Sequence, residues 1–188
     1  MNRTTGTKHA VFQALQKDFD ITNLGRVKQF LGQEVRCNGG FYSLRLASYI
    51  DGLIEKFGMK DCNPAKTPMD PSYMKLDNSS NSKPFADITR YRSLVGALLY
   101  VAVNARPDVA VSVSSLGRKV SSPTEMDWTA AKRVVRYLKG TRGYKLQFGP
   151  GKGWSLEGYS DADWAGDQAS RKSTSGYTFF SEKVRSRG

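Results

Sequence analysis

The chain has 188 residues, 39% of them hydrophobic, which suits one ordinary domain or two small ones with a packed core and excludes a disordered tail. Its 29 Lys and Arg against 17 Asp and Glu leave a net charge of +12, favouring a polyanionic partner such as nucleic acid over an acidic small molecule, with a merely solvated basic surface as the alternative. Two cysteines, Cys37 and Cys62, have no CxxC spacing and no histidine company, so they exclude a disulfide framework and a zinc site and fit reduced thiols in an intracellular protein, cytoplasmic or nuclear.

Elements follow in chain order. The opening stretch MNRTTGTKHAVF lacks the apolar centre of a secretory signal. Val11, Leu15 and Phe19 recur at i, i+4 and i+8, which predicts a short amphipathic helix from about Lys8 to Phe19. Val27 to Val35 mixes aromatic and β-branched residues, Asn38-Gly39-Gly40 is a tight-turn signal, and Phe41 to Leu44 follows, so a β-hairpin is expected. Tyr49, Ile50, Leu53, Ile54 and Phe57 predict a second amphipathic helix that stops at Gly58. From Cys62 to Pro84 four prolines and the polar run 77–82 predict a connector or mobile loop.

Three helical patterns come next. Ile88 to Val103 is apolar nearly all round and is expected inside a bundle; at ten residues its apolar run from Leu94 to Val103 is too short to span a bilayer, which needs about 20. No membrane partner is expected. The second pattern begins at Pro107 and sets Val109, Val113, Leu116 and Val120 on one stripe. The third carries the signature of a capping box, with Ser122 as N-cap, Pro123 at N1 and Glu125 at N3, an apolar stripe at Trp128, Ala131, Val135 and Leu138, and a stop at Gly140. The period then changes: Tyr144–Phe148, Leu156–Ser160 and Tyr177–Phe180 read as three strands of one small sheet, with Gly149-Pro150-Gly151-Lys152-Gly153 as a hairpin turn.

Two constellations bear on chemistry. Between Arg118 and Lys145 the basic residues outnumber the acidic ones eight to two, and Lys132, Arg136 and Lys139, with Arg133 and Arg142 beside them, are spaced to follow a phosphate backbone without reading bases; a charged solvent face is the alternative. Asp161, Asp163 and Asp167 cluster at the end of an apolar strand, where one or two oxygen ligands for a divalent cation, or simply acidic turn residues, are both consistent with the spacing. A two-metal hydrolytic site needs more carboxylates than one strand carries. The one histidine, His9, has no catalytic company, and no phosphate-binding glycine loop is present.

Eight blocks in order resemble the copia-type LTR-retrotransposon Pol polyprotein: Leu24-Gly25 with 30–35, 49–59, Thr67-Pro68-Met69, 91–100, Ala105-Arg106-Pro107-Asp108, 135–141, 158–167 and 171–177. The resemblance spans about Lys8 to Phe180. It implies an α+β fold, with residues 1–60 as the end of the reverse-transcriptase palm and the hairpin that holds the primer, 61–86 a linker, 87–148 helical thumb and connection, and 149–188 the first antiparallel strands of an incomplete RNase H-like sheet. It also implies Mg2+ as the cofactor of the intact enzyme, Asp161 as the first catalytic metal ligand of the RNase H domain, and an RNA/DNA template–primer, an RNA–DNA hybrid and other parts of Pol as partners. The family's Tyr-x-Asp-Asp motif, which should precede residue 1, does not occur in these 188 residues, and the carboxylates that complete the RNase H site belong beyond residue 180. The chain is therefore expected to bind nucleic acid without catalysing polymerisation or RNA cleavage. A domesticated nucleic-acid-binding or protein-interaction domain is the alternative, and a subunit completed by a partner a third.

Overall fold

The computed structural model describes residues 3–75, 82–149, 156–162, 173, 175–181 and 184–187. The α+β expectation holds: helices pack around one core and antiparallel strands form two sheets.

Sequence periodicity explains the core helices. Helix α1 (Arg3–Gln16) ends before Phe19, and its predicted stripe of Val11, Leu15 and Phe19 lies exposed. Helix α2 (Ala47–Lys56) buries Ile50, Leu53 and Ile54 and ends as expected at Gly58. There φ is +67°, the Gly58 N–H donates to the Glu55 carbonyl (3.0 Å) and the Met59 N–H to that of Ile54 (2.8 Å), the paired bonds of a Schellman stop. Helix α4 (Ile88–Asn104) starts at Asp87, whose carboxylate accepts from the Arg90 N–H at 2.8 Å. Its Tyr91, Leu94, Leu98 and Val101 are fully buried, whereas Leu99 and Val103 are exposed, so the helix is one-sided and not enclosed. A 3₁₀ turn (Pro107–Val109) leads into α5 (Ala110–Gly117), which buries Val113 and Leu116.

Helix α6 (Glu125–Gly140) begins two residues later than the capping pattern suggests: Thr124 is the N-cap, and Asp127, not Glu125, completes the box. The cause is a short extended pairing just upstream. Phe85 N–H donates to the Pro123 carbonyl (2.8 Å) and Glu125 N–H to that of Lys83 (2.9 Å), which holds 123–124 out of the helix. The predicted stripe of Trp128, Ala131, Val135 and Leu138 is buried.

The stretch expected as a connector is packed over its described residues. A short helix, α3 (Pro71–Lys75), buries Tyr73, and Phe85 stacks on Trp128 with ring centroids 4.8 Å apart. Residues 76–81, which hold most of the polar run, lie outside the described ones.

Strands β1 (Gln29–Phe30), β2 (Gln33–Asn38), β3 (Phe41–Arg45), β4 (Lys145–Phe148) and β7 (Val184–Arg187) form one sheet in the order β1-β2-β3-β4-β7. The expected hairpin is β2–β3, closed by Gly39 and Gly40, both at positive φ as a two-residue turn of this twist requires. A second tight turn at Leu31 and Gly32, again both at positive φ, splits the strand read over 27–35 into β1 and β2. Strands β5 (Leu156–Ala162) and β6 (Ser175–Ser181) pair only with each other. The expected three-stranded sheet of β4, β5 and β6 is thus not formed. Both edges of β4 are taken, by β3 and by β7, so no hydrogen-bonding edge is left for β5; the turn expected at 149–153 falls almost wholly on residues that are not described. Residues 150–155 lie outside the described ones.

Candidate functional site

On α6 the apolar side enters the core and the basic side meets the chain segment 60–70. The Lys139 ammonium donates to the carbonyls of Lys60 and Cys62 (2.8 Å to the latter), Arg136 Nε to that of Asn63 (2.6 Å), and Arg133 to Thr67 Oγ1 (3.0 Å) with Asp70 at 3.4 Å. The Ala65 N–H returns a bond to the Arg136 carbonyl at 3.3 Å, and Pro64 closes on Gly140, where an added Cβ would lie 3.0 Å from the Pro64 side chain. Three of the five predicted phosphate-contacting residues therefore fasten a proline-rich strap whose carbonyls have no regular ladder to bond. The other two are engaged elsewhere. Lys132 sits over the Trp128 ring (5.7 Å to the centroid), and the exposed Arg142 pairs with Asp51 at 2.9 Å. Asp70 is held below the ordinary carboxylate range, first by hydrogen bonds from Ser72 and then by the Arg133 charge.

An ionic network built on a buried arginine escaped the reading of periodicity. Arg106, only 2% exposed, forms a two-pronged pair with Asp108 (2.9 and 2.7 Å), donates to the carbonyl and hydroxyl of Thr141 (3.0 and 2.7 Å), and lies between the rings of Tyr137 and Tyr144. Tyr137 adds a hydroxyl bond to Asp108 at 2.8 Å. Burial pushes the Asp108 carboxyl up, but the Arg106 and Tyr137 hydrogen bonds and the Arg106 charge outweigh it and leave its pKa lowered. A second buried pair, Tyr73 hydroxyl to Asp127 Oδ1 at 2.5 Å, joins α3 to the start of α6, and burial with the Asp127 contact pushes the Tyr73 hydroxyl far up. The sequence signals were an Arg two residues before an Asp and a Tyr inside a presumed loop, neither specific without the partner 35 or 54 positions away.

Asp161 lies on β5 opposite Gly176 and is exposed. Glu157 is the other described carboxylate of the strand, four positions and therefore about 13 Å along it, too far to share a cation. Among the described residues no group of three His, Cys, Asp or Glu is arranged to hold a metal; Asp163 and Asp167 lie outside them. No helix among the described residues is long and apolar enough to cross a membrane.

Comparison with known proteins adds the lineage. Residues 4–71 match the family model of the reverse transcriptase (RNA-dependent DNA polymerase). The chain is 38% identical over 172 residues to the Retrovirus-related Pol polyprotein from transposon TNT 1-94 of Nicotiana tabacum, covering 88% of this chain and 13% of that one. The corresponding polyprotein from transposon RE1 of Arabidopsis thaliana is 37% identical over 172 residues, 92% of this chain and 12% of its own length. An uncharacterized mitochondrial protein of Arabidopsis thaliana is 33% identical over 170 residues, covering 90% of this chain and 69% of that protein. No solved structure matches. The similarity to both polyproteins covers the basic helices as well as the reverse-transcriptase match, and the chain belongs to the copia-type retrotransposon Pol family, spanning about an eighth of the length of those two polyproteins.

Proposed function

We propose that this segment of Pol binds the RNA/DNA template–primer through its phosphate backbone and supplies none of the polymerase metal ligands. The observation that carries the reading is the reverse-transcriptase match over 4–71 in a chain of net charge +12 that contains no Tyr-x-Asp-Asp motif. Residues 1–60 then act as the palm end and primer-holding hairpin, 87–148 as thumb and connection, and 149–188 as the opening of the RNase H domain. The two tight turns at Leu31-Gly32 and Gly39-Gly40 support the first assignment, since they present short loops suited to approach a nucleic-acid strand. Of the helix cations, Lys132 contributes most to phosphate contact, because Arg133, Arg136 and Lys139 are engaged with the 60–70 strap and Arg142 is paired with Asp51. Asp161 is the carboxylate through which the intact Pol chain would bind Mg2+, and these 188 residues do not hold that ion tightly on their own.

The test is binding of the 188-residue chain to a fluorescent RNA–DNA hybrid across about 50 to 200 mM salt, the range in which phosphate contacts weaken steeply. Expected are measurable affinity at the low end, a linear fall of log K with log salt, and no Mg2+-dependent primer extension or RNA cleavage. Absence of binding at low salt would remove the reading.

A further inference from the structure

The five-stranded sheet has two chemically opposite faces, and only strand pairing reveals them. Directly opposed residues of an antiparallel pair belong to one face of the sheet. Val35, Leu44, Leu146 and Ser186 are in one register row, and Cys37, Tyr42, Phe148 and Val184 in the next row of the same, largely apolar face. The intervening rows are polar. Arg36, Ser43, Gln147 and Arg185 lie opposite one another across β2, β3, β4 and β7. Beside them Glu34 is opposite Arg45, and Lys145 opposite Arg187. The described side chains of β2, β3 and β4 on this face carry three cations, Arg36, Arg45 and Lys145, against one carboxylate, Glu34, and that carboxylate is bound to Arg45 at 2.6 Å. Arg36 and Lys145 are exposed, and neither side chain has a hydrogen-bond or ionic partner among the described residues. The row from β2 to β7 crosses three strand gaps, about 14 Å, and the two rows stand about 7 Å apart.

We infer that this face of the sheet, carrying Arg36 on β2 and Lys145 on β4, is a docking track for the phosphate backbone of a nucleic acid. Charge complementarity selects the occupant: two unpaired cations, set two strands and one row apart on one polar face, match successive phosphates of a backbone better than a single anion. Phe41 adds a feature that an acidic protein would not use. It is 45% exposed in the next row, with its ring lying over Gly149, where any added Cβ would collide with it at 2.3 Å, and it offers an aromatic surface to a base. The residues come from positions more than 100 apart in the chain, which is why the charge pattern of α6, and not this one, stands out in the sequence. The inference rests on the nucleic-acid reading above and says where the nucleic acid touches the protein.

The experiment compares salt slopes for the 188-residue chain on a fluorescent DNA duplex. Arg36→Ser with Lys145→Ser is expected to flatten the slope of log K against log salt by about 2, roughly 0.9 for each phosphate left without its cation. Arg36→Lys with Lys145→Arg keeps both charges and is expected to keep the slope, and Lys66→Gln with Lys119→Gln, an equal charge change away from the sheet, is expected to leave it within experimental error. Unchanged thermal midpoints verify folding. Equal flattening by the sheet pair and the distant pair, or none by the sheet pair, overturns the sheet track while leaving nucleic-acid binding intact. Failure of the unaltered chain to bind at low salt overturns the broader reading instead.

Discussion

The helical core and the β5–β6 pair both carry large apolar side chains, and these reach opposite outcomes. In the core, residues from Leu46 to Leu138 form one continuous cluster in which Tyr91, Leu94, Leu98, Val134 and Val135 are fully buried. In the β5–β6 pair Leu156, Tyr159, Tyr177, Phe179 and Phe180 are all exposed, and the pair is held by its own ladder and by ring packing such as Tyr159 against Phe180 (5.8 Å, edge-on). Each fully buried large side chain contributes about 1.5–3 kcal/mol of transfer free energy, and an isolated two-stranded ribbon is marginal in water. Stability therefore resides in 46–141, where the apolar side chains meet partners that those of β5 and β6 lack.

Arg106 is where that contrast breaks with the largest effect. Arg106→Leu keeps the apolar volume but leaves the Thr141 carbonyl without that donor and Asp108, whose side chain is 35% exposed, without its cation; discounted for solvent at Asp108 from the cost of breaking a fully buried pair, the loss is about 2–3 kcal/mol. Chemical denaturation at neutral pH is expected to show a loss of that order, and a loss near zero would mean that the network is ornamental. The pH dependence gives a second readout. Because the folded-state pKa of Asp108 is lowered, its contribution is present above the ordinary carboxylate value and is lost as pH falls through the lowered one. The gap between wild type and variant is therefore expected to narrow below about pH 4, the ordinary aspartate value.

Tyr73→Phe has a smaller expected effect. It removes the hydroxyl from Asp127 Oδ1 and leaves a buried carboxylate oxygen without that donor, while Oδ2 keeps the Thr124 N–H (2.7 Å) and hydroxyl (2.8 Å). A cost of about 1–3 kcal/mol is expected from denaturant midpoints with the slope unchanged. Were the loss negligible, α3 would be an accessory and not part of the core.

Which parts of this arrangement the sequence announces follows from how local each signal is. Helix stripes such as Trp128-Ala131-Val135-Leu138, the Gly58 stop and the Gly39-Gly40 turn depend on neighbours within a few positions, and they fold as read. The start of α6 does not, because its position is set by Lys83 and Phe85, forty residues upstream. The partner of β4 is likewise non-local: β3 lies about 100 positions earlier, and nothing in Lys145–Phe148 distinguishes that edge from β5. Among the candidate site residues the sequence specified a basic stripe on α6 but not its direction, since carbonyls at 60–63 are invisible to a charge pattern.

The smallest expected effect is the sharpest check on the comparison between regions. The Phe179 ring lies across the ladder over Gly158, where an added Cβ would come within 2.9 Å of it, so it shields a backbone that has no side chain of its own. Cross-strand contacts of this kind contribute about 0.2–1 kcal/mol. If the two-stranded pair is energetically separate from the core, Phe179→Ser lowers only the local stability of β5–β6. Hydrogen exchange of the β5 amides should then quicken several-fold, and the global denaturation midpoint should shift by less than about 0.5 kcal/mol, as for an ordinary surface change. In the core the matching loss of apolar volume, Leu98→Ala, is expected to cost about 2–5 kcal/mol. A Phe179→Ser penalty approaching the Leu98→Ala value would mean that the exposed aromatic face of β5–β6 is packed in solution against the rest of the chain, and that the two regions unfold as one.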